Sequence, residues 1–275
     1  CVLLLLLLGA LVFLARAYEE SRLARELEQV AVDMVTEIRS DLSHNVQALQ
    51  RLQAPRPDDA AWQRGATALL LSNREILRIE WRSPELKIRL AQASPFLPFL
   101  FDHMPRSQVQ PDVKQACANA LRFAGPAYST SYFLPLQEGR GQELLEMCLP
   151  LPDDGGFLVM TYGLTDLLGE LQAREAYRSF SVALTESDGT RLAIAGHAAR
   201  DRNTVEAVHL LELPGSAYTL RVDQARELKG LRPKALSSTL TLLAMARVGM
   251  LALLSYDVRK RLQTEARLGE ALAFR

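Results

Sequence analysis

Histidine and cysteine are scarce in this sequence, four of one and three of the other in 275 residues. The histidines (His44, His103, His197, His209) are scattered without metal-ligand spacing, which argues against a metal centre. Charge of one sign is also missing, because 32 lysines and arginines are matched by 32 aspartates and glutamates. Without a basic excess the chain lacks the electrostatic footprint of a nucleic-acid binder. The Gly-x-Gly of "EGRGQE" opens no helix after a strand, so it reads as a turn rather than a phosphate loop. No Ser–His–Asp set is suggested by spacing.

Apolar sequence, by contrast, is concentrated at the two ends. Residues 1–17 begin "CVLLLLLLGALVFLA", with no charge before Arg16. A spanning helix needs roughly 20 residues, so this segment is expected to be a truncated first transmembrane helix. A second reading is a signal peptide cut after Ala17, where Ala15 and Ala17 flank Arg16. The helical pattern runs on through that point and favours the span. Residues 235–256 form the second candidate span, with Arg247 in the middle. A central Arg costs ~2.5–3.5 kcal/mol on insertion scales. It marks either a function inside the membrane or a snorkelling side chain in a shifted span. Arg259, Lys260 and Arg261 follow at once and suggest a cytoplasmic end, while Glu19 and Glu20 suit the outside. The expected topology is in–out–in, with residues 18–234 extracytoplasmic.

The segment 18–58 carries Leu23, Leu27, Val30, Met34, Ile38, Leu42, Val46 and Leu49 at steps of three and four, the helical repeat. Pro55 and Pro57 stop it. Residues 59–172 then read as a short helix, the hairpin "EILRIEW"–"LKIRLAQ", an apolar loop and the helix "QPDVKQACANALRFA". Three strand-like runs follow at 127–136, 142–151 and 156–164. Residues 173–234 hold two more hairpins, turning at Asp188-Gly189 and Pro214-Gly215. The fold class is α+β, with a long N-terminal helix, two antiparallel sheets and two flanking spans. The second unit is too small to bury much core by itself and is expected to lean on the long helix. Residues 257–275 read as a cytoplasmic linker helix, compatible with a short dimeric coil or with a simple overhang.

The stretch "GPAYSTSYFLPL" (125–136) crowds hydroxyls into one run. As a strand it puts Tyr128, Thr130 and Tyr132 on one face and Ser129, Ser131 and Phe133 on the other. Tyr and Thr favour strands for ordinary reasons, so propensity alone explains part of the run. Cys117 and Cys148 pair if the helix carrying the first packs on the strand carrying the second. Otherwise each is a small buried apolar residue.

This plan resembles the double-Cache (PDC, PAS-like) sensor region of bacterial membrane receptors. More narrowly, "EILRIEWRSPELKIRLA", "GPAYSTSYFLPL" and "GGFLVMTYGLTDLL" look like C4-dicarboxylate-sensing histidine kinases. The resemblance implies a homodimer in the bacterial inner membrane, with residues 18–234 periplasmic and lipid around both spans. It implies a small carboxylate held by Arg122, Tyr128, Ser129, Ser131, Tyr132 and Thr161, with His103 above it. Arg78, Lys87 and Arg140 are further cations nearby. A cognate response regulator, ATP and Mg would belong to a kinase core that the sequence does not contain, so the fragment is not expected to be an enzyme. His44 is no phosphoacceptor, because Asn45 follows it and Leu49 stands where that helix carries proline. The same module on a chemoreceptor or a cyclic-dinucleotide enzyme is the alternative, and a ligand-free structural membrane protein is a third reading.

Overall fold

The structure, a computed structural model, describes residues 2–53, 58–97, 100–103, 110–136, 141–151, 156–196, 204–225 and 244–261; residues 2–8, 12, 16, 102, 103 and 225 are described in backbone only. The chain divides into two compact units, one spanning Leu23–Ala225 and one made of the two ends, 1–22 with 226–275.

The first helix, α1, runs Val2–Gln53. Within the larger unit it has no glycine or proline, and the three-and-four spacing buries Leu27, Met34, Ile38, Leu42, Val46 and Leu49 along one stripe. Helix α2 (Asp59–Ser72) starts where the Asp58 carboxylate accepts the Ala61 N–H at 2.6 Å.

Six strands then build the first sheet: β1 (Ile76–Arg82), β2 (Ile88–Ala93), β3 (Ala127–Tyr128), β4 (Tyr132–Pro135), β5 (Gly141–Pro150) and β6 (Phe157–Gly163). Their order is β2-β1-β6-β5-β3, with β4 also paired to β5, and every pairing is antiparallel. One face, with Ile79, Met147, Leu158, Met160 and Tyr162, packs into the core shared with α1 and α2. The other face is covered by α3 (Pro111–Phe123) and by a 3-10 turn, Leu100–His103. Val113, Ala116, Cys117 and Ala120 of α3 meet Ala127, Cys148, Phe157 and Val159 there. Cys117 and Cys148 are joined as a disulfide that ties α3 to β5.

The run 127–136, expected as one strand, is broken at 129–131. Ser129 explains the break. Its hydroxyl donates to the Thr130 carbonyl at 2.6 Å and accepts the Glu146 N–H at 3.1 Å. Side-chain hydroxyls that bond the backbone in this way compete with the ladder.

Helix α4 (Leu164–Ala173) leads to the second sheet, β7 (Ser181–Thr185), β8 (Arg191–Ala195), β9 (Thr204–Leu213) and β10 (Ser216–Ala225), ordered β8-β7-β10-β9. Both hairpins turn on left-handed glycines, Gly189 at φ +87° and Gly215 at φ +98°. Val182, Leu184, Leu211, Leu220 and Val222 join the same core as α1 and the first sheet. The second sheet therefore leans on the long helix, and both sheets lie in one unit.

The β9–β10 tip also touches the broken strand. Tyr128 donates its N–H to the Pro214 carbonyl at 2.7 Å, and the Tyr218 hydroxyl donates to the Ser129 carbonyl at 3.1 Å. A Cβ on Gly215 would meet the Tyr128 carbonyl at 2.6 Å, so only glycine fits this approach.

In the unit made of the ends, residues 244–261 are helical and expose Met245, Met250, Leu251 and Leu253. Among the described residues no helix is long and apolar enough to cross a membrane. Both expected spans fall partly outside that description, the first at residue 1 and in the side chains of 2–8, 12 and 16, the second at 235–243.

Candidate functional site

On the α3 side of the first sheet the strands place a polar row in an otherwise apolar face. Arg78 on β1 is the neighbour of Thr161 on β6, which is the neighbour of Glu146 on β5. Ser129 closes the row by donating its N–H to the Glu146 carbonyl at 2.9 Å. Successive side chains on a strand alternate between faces, so Glu80 and Arg82 join Arg78 on this side while Ile79 and Trp81 face the helices.

Two charged groups result. In the first, Glu80 is fully buried and sits between two arginines. Arg78 Nε donates to Glu80 Oε1 at 2.6 Å, and Arg82 Nε donates to Oε2 at 2.7 Å. Arg82, also fully buried, spends Nη1 on the Leu86 carbonyl at 2.7 Å. The Arg78 guanidinium retains 17% exposure and lies over the Phe101 ring at 5.2 Å, a cation–π placement. In the second, the buried Glu146 carboxylate accepts the Tyr132 hydroxyl at 2.6 Å and the Thr161 hydroxyl at 2.8 Å. Half-buried Asp112, in the first turn of α3, faces the same region. Burial first, and then the Glu146 charge, hold its carboxyl above the ordinary value.

Of the residues expected from sequence, Tyr132, Thr161 and Ser129 converge on Glu146. Ser131 is half-buried beside Glu143, whose carboxyl is raised by burial and drawn down by the Ser131 hydroxyl. Tyr128 faces away, into the core with α1, and burial pushes its phenol well up. Thr130 is exposed and reaches Gln115 at 3.4 Å. Arg122 is not brought to the site. The inward face of α3 is taken by Val113, Ala116, Cys117 and Ala120, which turns Arg122 to solvent, over the Phe123 ring at 5.4 Å. His103 ends the 3-10 turn above this face, and its side chain lies outside the described residues, as does Arg140. Lys87 is exposed in the β1–β2 hairpin.

Sequence reasoning missed Glu80, Arg82, Asp112 and Glu146, and named Arg78 only as a nearby cation. The signal was present as charged residues at alternate positions of "ILRIEWR" and a lone carboxylate inside "LLEMCL". Burial of that face depends on α3, which no strand pattern announces.

No family model matches the chain, and no curated protein matches it. Similarity is found among solved structures. The extracellular domain of the candidate histidine kinase vpHK1S-Z8 superposes with a TM-score of 0.50 at 11% identity, covering 77% of this chain and 94% of that one. The ligand-binding domain of the Pseudomonas aeruginosa PAO1 amino acid chemoreceptor PctB, in complex with L-Arg, gives 0.48 at 12%, covering 77% and 98%. An extracellular ligand-binding receptor from Desulfohalobium retbaense gives 0.48 at 14% and covers 73% of this chain, which spans 40% of that receptor. The first two are the extracellular domain of a candidate histidine kinase and the ligand-binding domain of a chemoreceptor, neither of them a catalytic domain. The long helix with two antiparallel sheets is the fold shared with the vpHK1S-Z8 domain.

Proposed function

We propose that this chain is the periplasmic sensor region of a membrane histidine kinase, flanked by two spans. It binds a small carboxylate that also carries a cationic amine, on the α3-covered face of the first sheet. The observation that carries this reading is the row Arg78–Thr161–Glu146, a cation and an anion two strands apart with a hydroxyl between. Strands lie about 4.8 Å apart, so the two backbones are separated by about 10 Å. Arg78 offers a planar fork to a carboxylate, which would take the place Glu80 holds. Glu146 and Asp112 offer oxygen to an ammonium group.

Charge favours that ligand over a dicarboxylate, because a zwitterion sets its carboxylate against Arg78 and its ammonium against Glu146 and Asp112, whereas a dianion has no cation to set against the acids.

The test is thermal unfolding of the purified chain in detergent with amino acids, monocarboxylates and dicarboxylates. A ligand at a hundred times its Kd adds about 2.7 kcal/mol, a rise of roughly 5–10 °C for a unit of this size. Aminocarboxylates are expected to give the largest rise, and Arg78→Ala to remove it. A larger rise with dicarboxylates would overturn the charge reading alone. No rise with any of them would overturn the sensor reading. Ligand-dependent autophosphorylation of the full-length protein in membranes separates a kinase from a chemoreceptor built on the same module.

A further inference from the structure

Beside the charged row the first sheet carries an apolar wall, and a fault in strand register builds it. Strand β1 slips against β6 between Ile76 and Arg78. Ile76 stays opposite Tyr162 and faces the core with α1, whereas Arg78 stays opposite Thr161 on the roofed face. Leu77 is the extra residue, and a bulge of this kind re-aims a side chain. It packs with Leu100, Phe101, Leu134 and Leu144, under the 3-10 turn and beside Arg78. Its carbonyl accepts the Ser94 N–H at 2.8 Å, which holds the bulge in place. Gly163 leaves it room, because a Cβ there would meet Leu77 Cδ1 at 3.0 Å.

Leu144 reaches the same cluster from β5, two residues before Glu146 and so on the same face. Tyr132 joins the two environments. It lies opposite Leu144, packs against the cluster and donates its hydroxyl to Glu146 at 2.6 Å. Phe101 does the same on the cationic side, with the Arg78 guanidinium over its ring. The wall therefore runs along one flank of the row, from the cation to the anion. The other flank is closed by the Cys117–Cys148 disulfide and the small residues of α3. No side chain of the wall carries a hydrogen-bonding group. At its edge, beside Gly163, Gln142 donates its amide to Asp166.

We propose that Leu77 and Leu144 select the third group of the ligand, and that this group is aliphatic. The inference rests on the aminocarboxylate reading above and deepens it. With the carboxylate on Arg78 and the ammonium towards Glu146 and Asp112, the disulfide flank leaves the substituent only the side of the 3-10 turn. There it lies between the turn and the sheet. A charged or hydrogen-bonding substituent would lose its water and gain no partner. An aliphatic one gains from leaving water.

The test is calorimetric titration of the purified chain in detergent with L-alanine, L-valine, L-threonine, L-glutamate and L-lysine. Valine and threonine have nearly the same shape, so their ratio isolates the hydroxyl. Valine is expected to bind at least about tenfold more tightly than alanine or threonine, the scale on which apolar pockets discriminate. Glutamate and lysine are expected to bind no better than alanine. Leu77→Asn, which offers the hydroxyl a partner, is expected to erase the preference for valine over threonine. Equal binding of valine and threonine, or tighter binding of glutamate or lysine, would overturn the proposal and leave the aminocarboxylate reading in place. Binding of none of the five would overturn both. These ratios are measured on the unmodified chain, so they decide even if Leu77→Asn does not fold. A folded Leu77→Asn chain that keeps the valine preference would remove Leu77 from the selecting wall.

Discussion

Glu80–Arg82 on the first sheet and Glu206–Arg221 on the second are the same chemical pair in different surroundings. Both members of the first pair are fully buried, at 2.6 Å. The second pair, at 3.1 Å, leaves 37% of the arginine and 40% of the glutamate side chain open to water. The sheets that carry them are alike in antiparallel order and in the helix beneath. They differ in the layer above. The first sheet is roofed by α3 and the 3-10 turn, whereas the second leaves Val208 and Leu210 of β9 about half exposed. A roof turns a surface ion pair into a buried one, and with it a plain sheet face into a place where charge is felt strongly.

The sharpest way to break this comparison is to remove one member of the dry pair. Glu80→Ala leaves Arg82 buried without its carboxylate and is expected to cost about 3–5 kcal/mol in urea unfolding. The roof itself can be loosened next. Replacing Cys117 and Cys148 together by serine opens a loop with a sequence separation of 31 and is expected to cost about 2–4 kcal/mol. The loss should be accompanied by faster amide exchange in α3. If α3 exchanges no faster, the disulfide is not what holds the roof down.

A smaller effect sharpens the electrostatics under the roof. The Asp112 carboxyl is raised by burial and by Glu146, so the folded state favours its protonated form. That contribution to stability is complete below the unfolded value near pH 3.9 and is lost as pH rises through the raised folded value. An ammonium ligand favours the ionised form instead. Its affinity should therefore climb as pH rises from about 4, and Asp112→Asn should flatten the climb. The smallest change is expected on the open sheet. Arg221→Ala should cost no more than about 1 kcal/mol, because exposed pairs are screened by water. A cost equal to that of Glu80→Ala would erase the distinction between the two sheets.

How much of this could be read from the chain depends on how local each determinant is. The long helix was legible because Leu27, Met34, Ile38, Leu42 and Leu49 repeat at helical steps. Both small hairpins were legible because Gly189 and Gly215 supply left-handed turns. The break at Ser129 was not, since it needs the Glu146 backbone, 17 residues on, to occupy the serine hydroxyl. Nor was the charged row. Arg78, Glu80 and Arg82 alternate with apolar residues in the manner of a wet sheet face, and it is packing above the strand, with Phe101 of the 3-10 turn against Arg78, that makes that face dry. The placing of Arg122 was not legible either, since it stands close to the strand in sequence while the apolar stripe of α3 leaves it on the exposed side of that helix.

One consequence of the Pro214–Gly215 tip remains. The backbone of Tyr128 and Ser129 is stitched along one edge to Glu146 and along the other to the second sheet. A seam sewn on both sides has no slack. If Glu146 and its neighbours move apart to admit a guest, that seam either tears its 2.7 Å stitch to Pro214 or drags the neighbouring hairpin with it.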